Sequence, residues 1–136
     1  MIQRILICDS RGYPFYSRKI DNNLPEIDKI LLSGFISSIG TLGSELFNKK
    51  VASITFGEDF DKSHVYVVTR EFLSEKKTIY FVFFMKGECN TKLAKEISTT
   101  IFIESKNELK KTDANIRIDK KIDTIIDNRF NGLKNL

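Results

Sequence analysis

The sequence predicts a mixed α/β (α+β) domain around a five-stranded sheet, with the element order β-β-α-β-β-β-α-α. Three observations carry this. Short β-branched runs bounded by turn residues recur up to residue 86. Between the second and third of these runs, and again after the last, apolar residues instead recur every three to four positions. One run, residues 78–86, is apolar on both faces, as a strand at the centre of a sheet must be when layers cover both its sides.

Residues 2–8, Ile-Gln-Arg-Ile-Leu-Ile-Cys, read as the first strand. Asp9-Ser10-Arg11-Gly12 is a turn, and residues 13–19 return as a second strand. Pro14 cannot donate a ladder hydrogen bond, so that strand belongs at an edge. Asp21-Asn22-Asn23 stops it. Pro25 fits the first turn of a helix capped by Asn22 or Asn23. Ile27, Leu31, Phe35, Ile39, Leu42 and Leu46 then share one helical face through residue 47, and the spacing predicts that this face packs on the sheet.

Residues 51–57 alternate as a third strand, a polar loop runs to Ser63, and residues 64–70 form a fourth strand. A charged turn over 74–77 leads into the fifth. Thr91 can cap a second long helix carrying Leu93, Ile97 and Ile101, with Phe102 and Leu109 following. Thr112-Asp113-Ala114-Asn115 interrupts the pattern. Ile118, Ile122, Ile125, Ile126 and Phe130 mark a last helix, expected to end at Asn131-Gly132.

Strands one and five are the most apolar and belong in the middle. Strand two carries Pro14, and strand three places Ser53, Thr55 and Gly57 on one face, so both belong at the edges. The order 2-1-5-4-3 meets these conditions. One helix then crosses from edge to edge over one face, and the last two cover the other.

At 136 residues the chain reads as one domain, 1–136. Its 41% hydrophobic and 29% charged residues exclude a disordered chain. The longest uninterrupted apolar run, 79–85, is too short to span a bilayer, so no membrane insertion is expected. Asp9 and Arg11 break the start of the chain before any signal-peptide core. The net charge of +4 is spread thinly. Lys106, Lys110, Lys111, Lys120 and Lys121 alternate with Glu104, Glu108, Asp113, Asp119 and Asp123. That is a solvated surface and not the basic stripe of a nucleic-acid binder.

Cys8, Cys89 and the single His64 form no metal-ligand spacing, and no metal or other cofactor is expected. The cysteine usage suits a reducing compartment, hence a cytoplasmic location. Asp59-x-Asp61-x-Ser63 starts like a calcium loop, but His64 and Arg70 stand where Gly and Glu are needed. Asp9-Ser10-Arg11-Gly12 lacks the ending of a phosphate-binding loop. Ser33 has Leu31 and Phe35 where a nucleophile elbow needs glycines. No catalytic residues emerge, and the chain is not expected to be an enzyme.

The opening Ile2-Gln3-Arg4-Ile5-Leu6-Ile7-Cys8-Asp9 starts a pattern that continues along the chain. It runs through Gly12 and the strand Tyr13-Pro14-Phe15-Tyr16-Ser17-Arg18-Lys19 to the helical Leu32-Ser33-Gly34-Phe35-Ile36-Ser37-Ser38-Ile39. Val51-Ala52-Ser53-Ile54-Thr55-Phe56 and Ile79-Tyr80-Phe81-Val82-Phe83-Phe84 complete it. Together these resemble the longin fold, and most of all small stand-alone longin or roadblock-like proteins of archaea. The likeness covers nearly the whole chain and lies in apolar patterning. It implies an antiparallel sheet, a role as a platform or regulator of a Ras-like small GTPase in vesicle-trafficking-like processes, and partnership with itself or a paralogous longin or roadblock domain. Peripheral membrane association is compatible with it. If strands one and five run antiparallel, as the resemblance implies, Cys8 and Cys89 lie at opposite ends of the sheet and form no disulfide.

Two other functions compete: a PAS- or GAF-like small-molecule sensor, and a small coat-adaptor-like subunit holding cargo. A sensor needs a pocket between sheet and helices, whereas both sheet faces read as filled by Phe and Ile. For the interaction module, the predicted surface lies on the first helix. Leu32, Ile36 and Phe47 flank a strip of small residues, Ser33, Ser37, Gly40 and Ser44, which would let a second backbone approach closely.

Overall fold

The computed structural model describes residues 1–111 and 117–134. Strands β1 (Ile2–Asp9), β2 (Pro14–Lys19), β3 (Ser53–Phe56), β4 (Ser63–Phe72) and β5 (Lys77–Lys86) form one sheet of order β2-β1-β5-β4-β3. Every neighbouring pair is antiparallel. Helices are α1 (Lys29–Phe47), α2 (Thr91–Glu104), α3 (Lys106–Lys110) and α4 (Arg117–Lys134).

The predicted strand order is the observed one, and its cause is the predicted one. β1 and β5 are buried on both faces because they sit at the centre. On one face Ile5, Ile7, Phe81, Phe83 and Met85 meet Ile97 and Ile101 of α2, Leu109 of α3, and Ile122 and Ile126 of α4. On the other face Leu6, Cys8, Val65, Val67, Tyr80 and Val82 form a smaller core with Ile36 of α1. Cys8 pairs with Tyr80 at one end of the β1–β5 ladder, while Cys89 follows β5 beyond the other end, and both thiols are free.

Several element ends differ from the sequence reading. α1 starts at Lys29 and not at Pro25. Asp28 is its cap, with Oδ1 accepting from the Ile30 N–H at 2.8 Å. The Pro25 carbonyl is held instead by the buried Arg4, whose Nη2 donates to it at 2.7 Å, so this stretch runs across the strand and does not coil. Asn90, not Thr91, caps α2, accepting from Leu93 N–H at 3.1 Å. The chain turns at Ser105 and adds the five-residue α3. α4 continues through Asn131 and Gly132 to Lys134, since neither residue alone breaks a helix with this much apolar contact upstream. The interruption expected at 112–115 lies outside the described residues.

Candidate interaction surface on the first helix

α1 is 19 residues long and carries only two charged side chains, Lys29 and Glu45. Its buried residues are Ser33, Ile36 and Gly40. This reverses the predicted orientation. Most of the apolar set expected against the sheet points outward: Leu31 is 69% exposed, Leu42 50%, Leu46 67% and Phe35 44%, while Ile39 is half-buried. Ile27, just before the helix, is exposed as well.

Close approach explains the reversal. The bulk at this contact comes from the sheet, and the helix supplies small side chains. A Cβ built on Gly40 would stand 2.4 Å from Tyr80 Oη, and one on Gly12 would stand 3.4 Å from Gly34 Cα. Gly12 also has a φ of +83°, a region L side chains rarely adopt. Ser33 folds its hydroxyl back onto the Lys29 carbonyl at 2.7 Å, so its burial leaves no unpaired donor. Ser37 Oγ donates to the Ser10 carbonyl at 2.5 Å, tying the β1–β2 turn to the helix.

Of the residues predicted as an interface, Ser33, Ile36 and Gly40 are therefore consumed inside the fold. Leu32 packs against the same small core, half-buried. Ser37 is tied to the turn, Ser44 is exposed at the rim of a cavity beside the helix, and Phe47, 69% exposed, projects freely. The structure does not bring these residues together as one surface. The surface that it does present is Leu31, Phe35, Leu42 and Leu46. At about 100° per residue these span roughly 60° of arc, opposite the Ser33–Ile36–Gly40 face. The signal lies in the sequence as the strongest apolar periodicity of the helix, but amphipathic reasoning assigns it to the wrong side.

By length and composition alone, α1 is apolar enough to cross a bilayer. Counting uninterrupted apolar runs overlooks it, because Ser, Gly and Thr break a run without adding charge. In the fold those small residues are the packing face.

The polar groups elsewhere are structural. Asp9 is buried and accepts from the Arg11 and Tyr13 amides at 2.9 and 3.0 Å and from the Arg11 guanidinium at 2.7 Å, closing the β1–β2 turn. Burial pushes the Cys8 thiol up to about 12, so it is protonated and unreactive at neutral pH. His64 Nδ1 lies 3.2 Å from Thr55 Oγ1 across the β3–β4 ladder. Tyr16 donates to Asp123 and Arg18 pairs with Asp127 at 2.6 Å, which joins β2 to α4. Among the described residues, no group of three or more His, Cys, Asp or Glu could hold a metal ion.

The strand order and the placing of one helix against three define the class: a longin- and roadblock-like α+β fold. A solved structure of the gliding protein MglB from Thermus thermophilus shares this fold. It superposes with a TM-score of 0.51 at 9% identity, covering 88% of this chain and 79% of that one. MglB from Myxococcus xanthus is a weaker match, with a TM-score of 0.47 at 17% identity over 76% and 85%. No protein-family model and no curated protein sequence matches the chain.

Proposed function

We propose that the chain is a non-catalytic interaction module that pairs with a second copy, or a paralogous domain, through the outward face of α1 and serves as a platform or regulator for a Ras-like small GTPase. The observation that carries the self-association is the exposed row Leu31, Phe35, Leu42 and Leu46 on a nearly uncharged helix. A two-fold pairing of such a row is self-complementary, since each apolar side chain meets another and no charge is buried. Each large side chain fully covered contributes on the order of 1.5–3 kcal/mol. The GTPase part of the proposal rests on the resemblance of the fold alone. The absence of catalysis is supported by a Cys8 thiol held protonated and by a His64 occupied by Thr55. The free thiols suit a cytoplasmic setting.

Light scattering on the purified chain tests the pairing. The expected result is a mass near twice 15.7 kDa for the wild type. Leu31→Glu and Leu42→Glu should give monomers with unchanged circular dichroism. Ile36→Glu, by contrast, should unfold the protein, because Ile36 is 1% exposed in the core. A monomeric wild type, or a dimer that survives both leucine changes, overturns the α1 interface. Titration against the small GTPases of the same genome, loaded with GDP or a GTP analogue, tests the partner; no binding in either state overturns it.

A further inference from the structure

Under the C-terminal half of α1 the sheet changes character. On that face the cross-strand pairs Val65–Phe84 and Val67–Val82 are apolar, but the next two, Thr69–Tyr80 and Glu71–Thr78, are polar. Opposite them α1 offers Gly40, Thr41 and Ser44, too small to fill the space, with Glu45 at the mouth. A cavity of about 300 Å³ remains, floored by Thr69, Thr78 and Tyr80.

Two groups in this floor lack partners. Thr69 Oγ1 is buried with no hydrogen bond. Tyr80 is only 7% exposed, yet its hydroxyl, set against Gly40, still reaches the cavity and makes no hydrogen bond to protein among the described residues. Leaving a buried hydroxyl unpaired forfeits its hydration without a return. A fold that needed only packing would have apolar side chains here, as it does two residues along each strand at Val67 and Val82.

The mouth carries charges of both signs in equal number: Lys49 and Lys50 against Glu45 and Glu71. Lys50 Nζ meets Glu71 at 3.1 Å, yet the two side chains are 62% and 40% exposed. So open a pair is worth little and can exchange its partners for those of a ligand. A balanced rim disfavours a net anion such as a nucleotide, and the volume lies at the lower limit for ligand sites.

We propose that this cavity binds a free α-amino acid with a polar side chain. Glu71 and Glu45 take its ammonium, Lys49 and Lys50 its carboxylate, and the hydroxyls of Thr69, Thr78 and Tyr80 its side chain. Binding on the inner side of α1 is independent of the outward apolar face, so it persists in the Leu42→Glu variant whether or not the wild type dimerises.

The test is an amide-resolved NMR titration of the full chain with L-serine, L-asparagine and L-glutamine, and with glycerol and ribose as uncharged probes. The expected result is saturable shifts around Gly40, Thr69 and Tyr80 with at least one amino acid and none with the polyols. Thr69→Val and Tyr80→Phe keep shape and remove one hydroxyl each; each should weaken binding about tenfold while leaving the melting temperature unchanged or raised. Lys50→Ala, at an exposed position, should weaken it without affecting stability. No saturable shift with any of the three amino acids up to about 10 mM, saturation by a polyol instead, or affinity unaltered in all three variants overturns the assignment.

Discussion

Gly40 shows how a single hydrogen in place of a methyl sets the position of a helix. In an ordinary exposed helix Gly→Ala stabilises by about 1 kcal/mol, because glycine loses the most backbone freedom on folding. Here the added Cβ would meet Tyr80 Oη at 2.4 Å and Cζ at 2.9 Å. Tyr80 is buried and cannot swing away freely. Gly40→Ala is therefore expected to destabilise, by about 1–3 kcal/mol net, and urea unfolding reads the sign directly. Gly40→Ala in a Tyr80→Phe background should recover part of the loss, since the closest atom is gone while Cζ remains. A stabilising Gly40→Ala would mean that α1 stands further from the sheet than described. At Gly34, six residues earlier, the corresponding Cβ meets nothing within 4 Å. Gly34→Ala should then show the ordinary gain, which makes the two glycines a matched pair of controls.

Among the elements, α1 has the most to say about what a sequence discloses. Its cap is Asp28, whose carboxylate accepts from Ile30 N–H. Asp28→Ala should cost about 1 kcal/mol of unfolding free energy, whereas Asn23→Ala, at the position favoured by the local sequence, should stay within about 0.5 kcal/mol. Equal losses would restore the longer helix. The five strands and their order were legible because each strand's chemistry depends on its neighbours: Pro14 suits only an edge, and Phe81-Val82-Phe83 suits only a centre. The start of α1 was not legible, because the Arg4–Pro25 contact that holds residues 25–28 straight joins positions far apart in sequence. The orientation of α1 was not legible for a different reason. Amphipathic reasoning sends the bulkiest face inward, and it fails where the sheet supplies the bulk and the helix supplies the gap. The same error hid the polar cavity, since a face read as filled by Phe and Ile in fact turns to Thr69, Thr78 and Tyr80 beyond Val67 and Val82.

At the scale of the whole molecule, the two cores are unequal, and the thinner one, under α1, holds Cys8 at 0% exposure beside Tyr80. Desolvation raises the Cys8 thiol from 9.0 to about 12, with the neighbouring Asp9 adding to it and Ser33 opposing. Burial also raises Tyr80, and burial together with the bond to Asp123 raises Tyr16. Each of these groups is neutral when protonated. In the unfolded chain the thiol loses its proton near pH 9, while in the fold it keeps it until about 12. Between those values the native state binds more protons than the unfolded one, so stability falls as pH rises. It is level below that window and lost progressively through it. At about 1.36 kcal/mol per unit, Cys8 alone removes on the order of 2–3 kcal/mol by pH 11. Wild-type unfolding free energy should thus decline from pH 9 upwards. Cys8→Ala, which costs about 1 kcal/mol or more at pH 7 through lost packing, should decline less steeply, so that the gap between the two proteins narrows or inverts by pH 11. Chemical denaturation at pH 7, 9, 10 and 11 measures this, and a gap that stays constant across the series would show that the thiol is not held protonated by the fold.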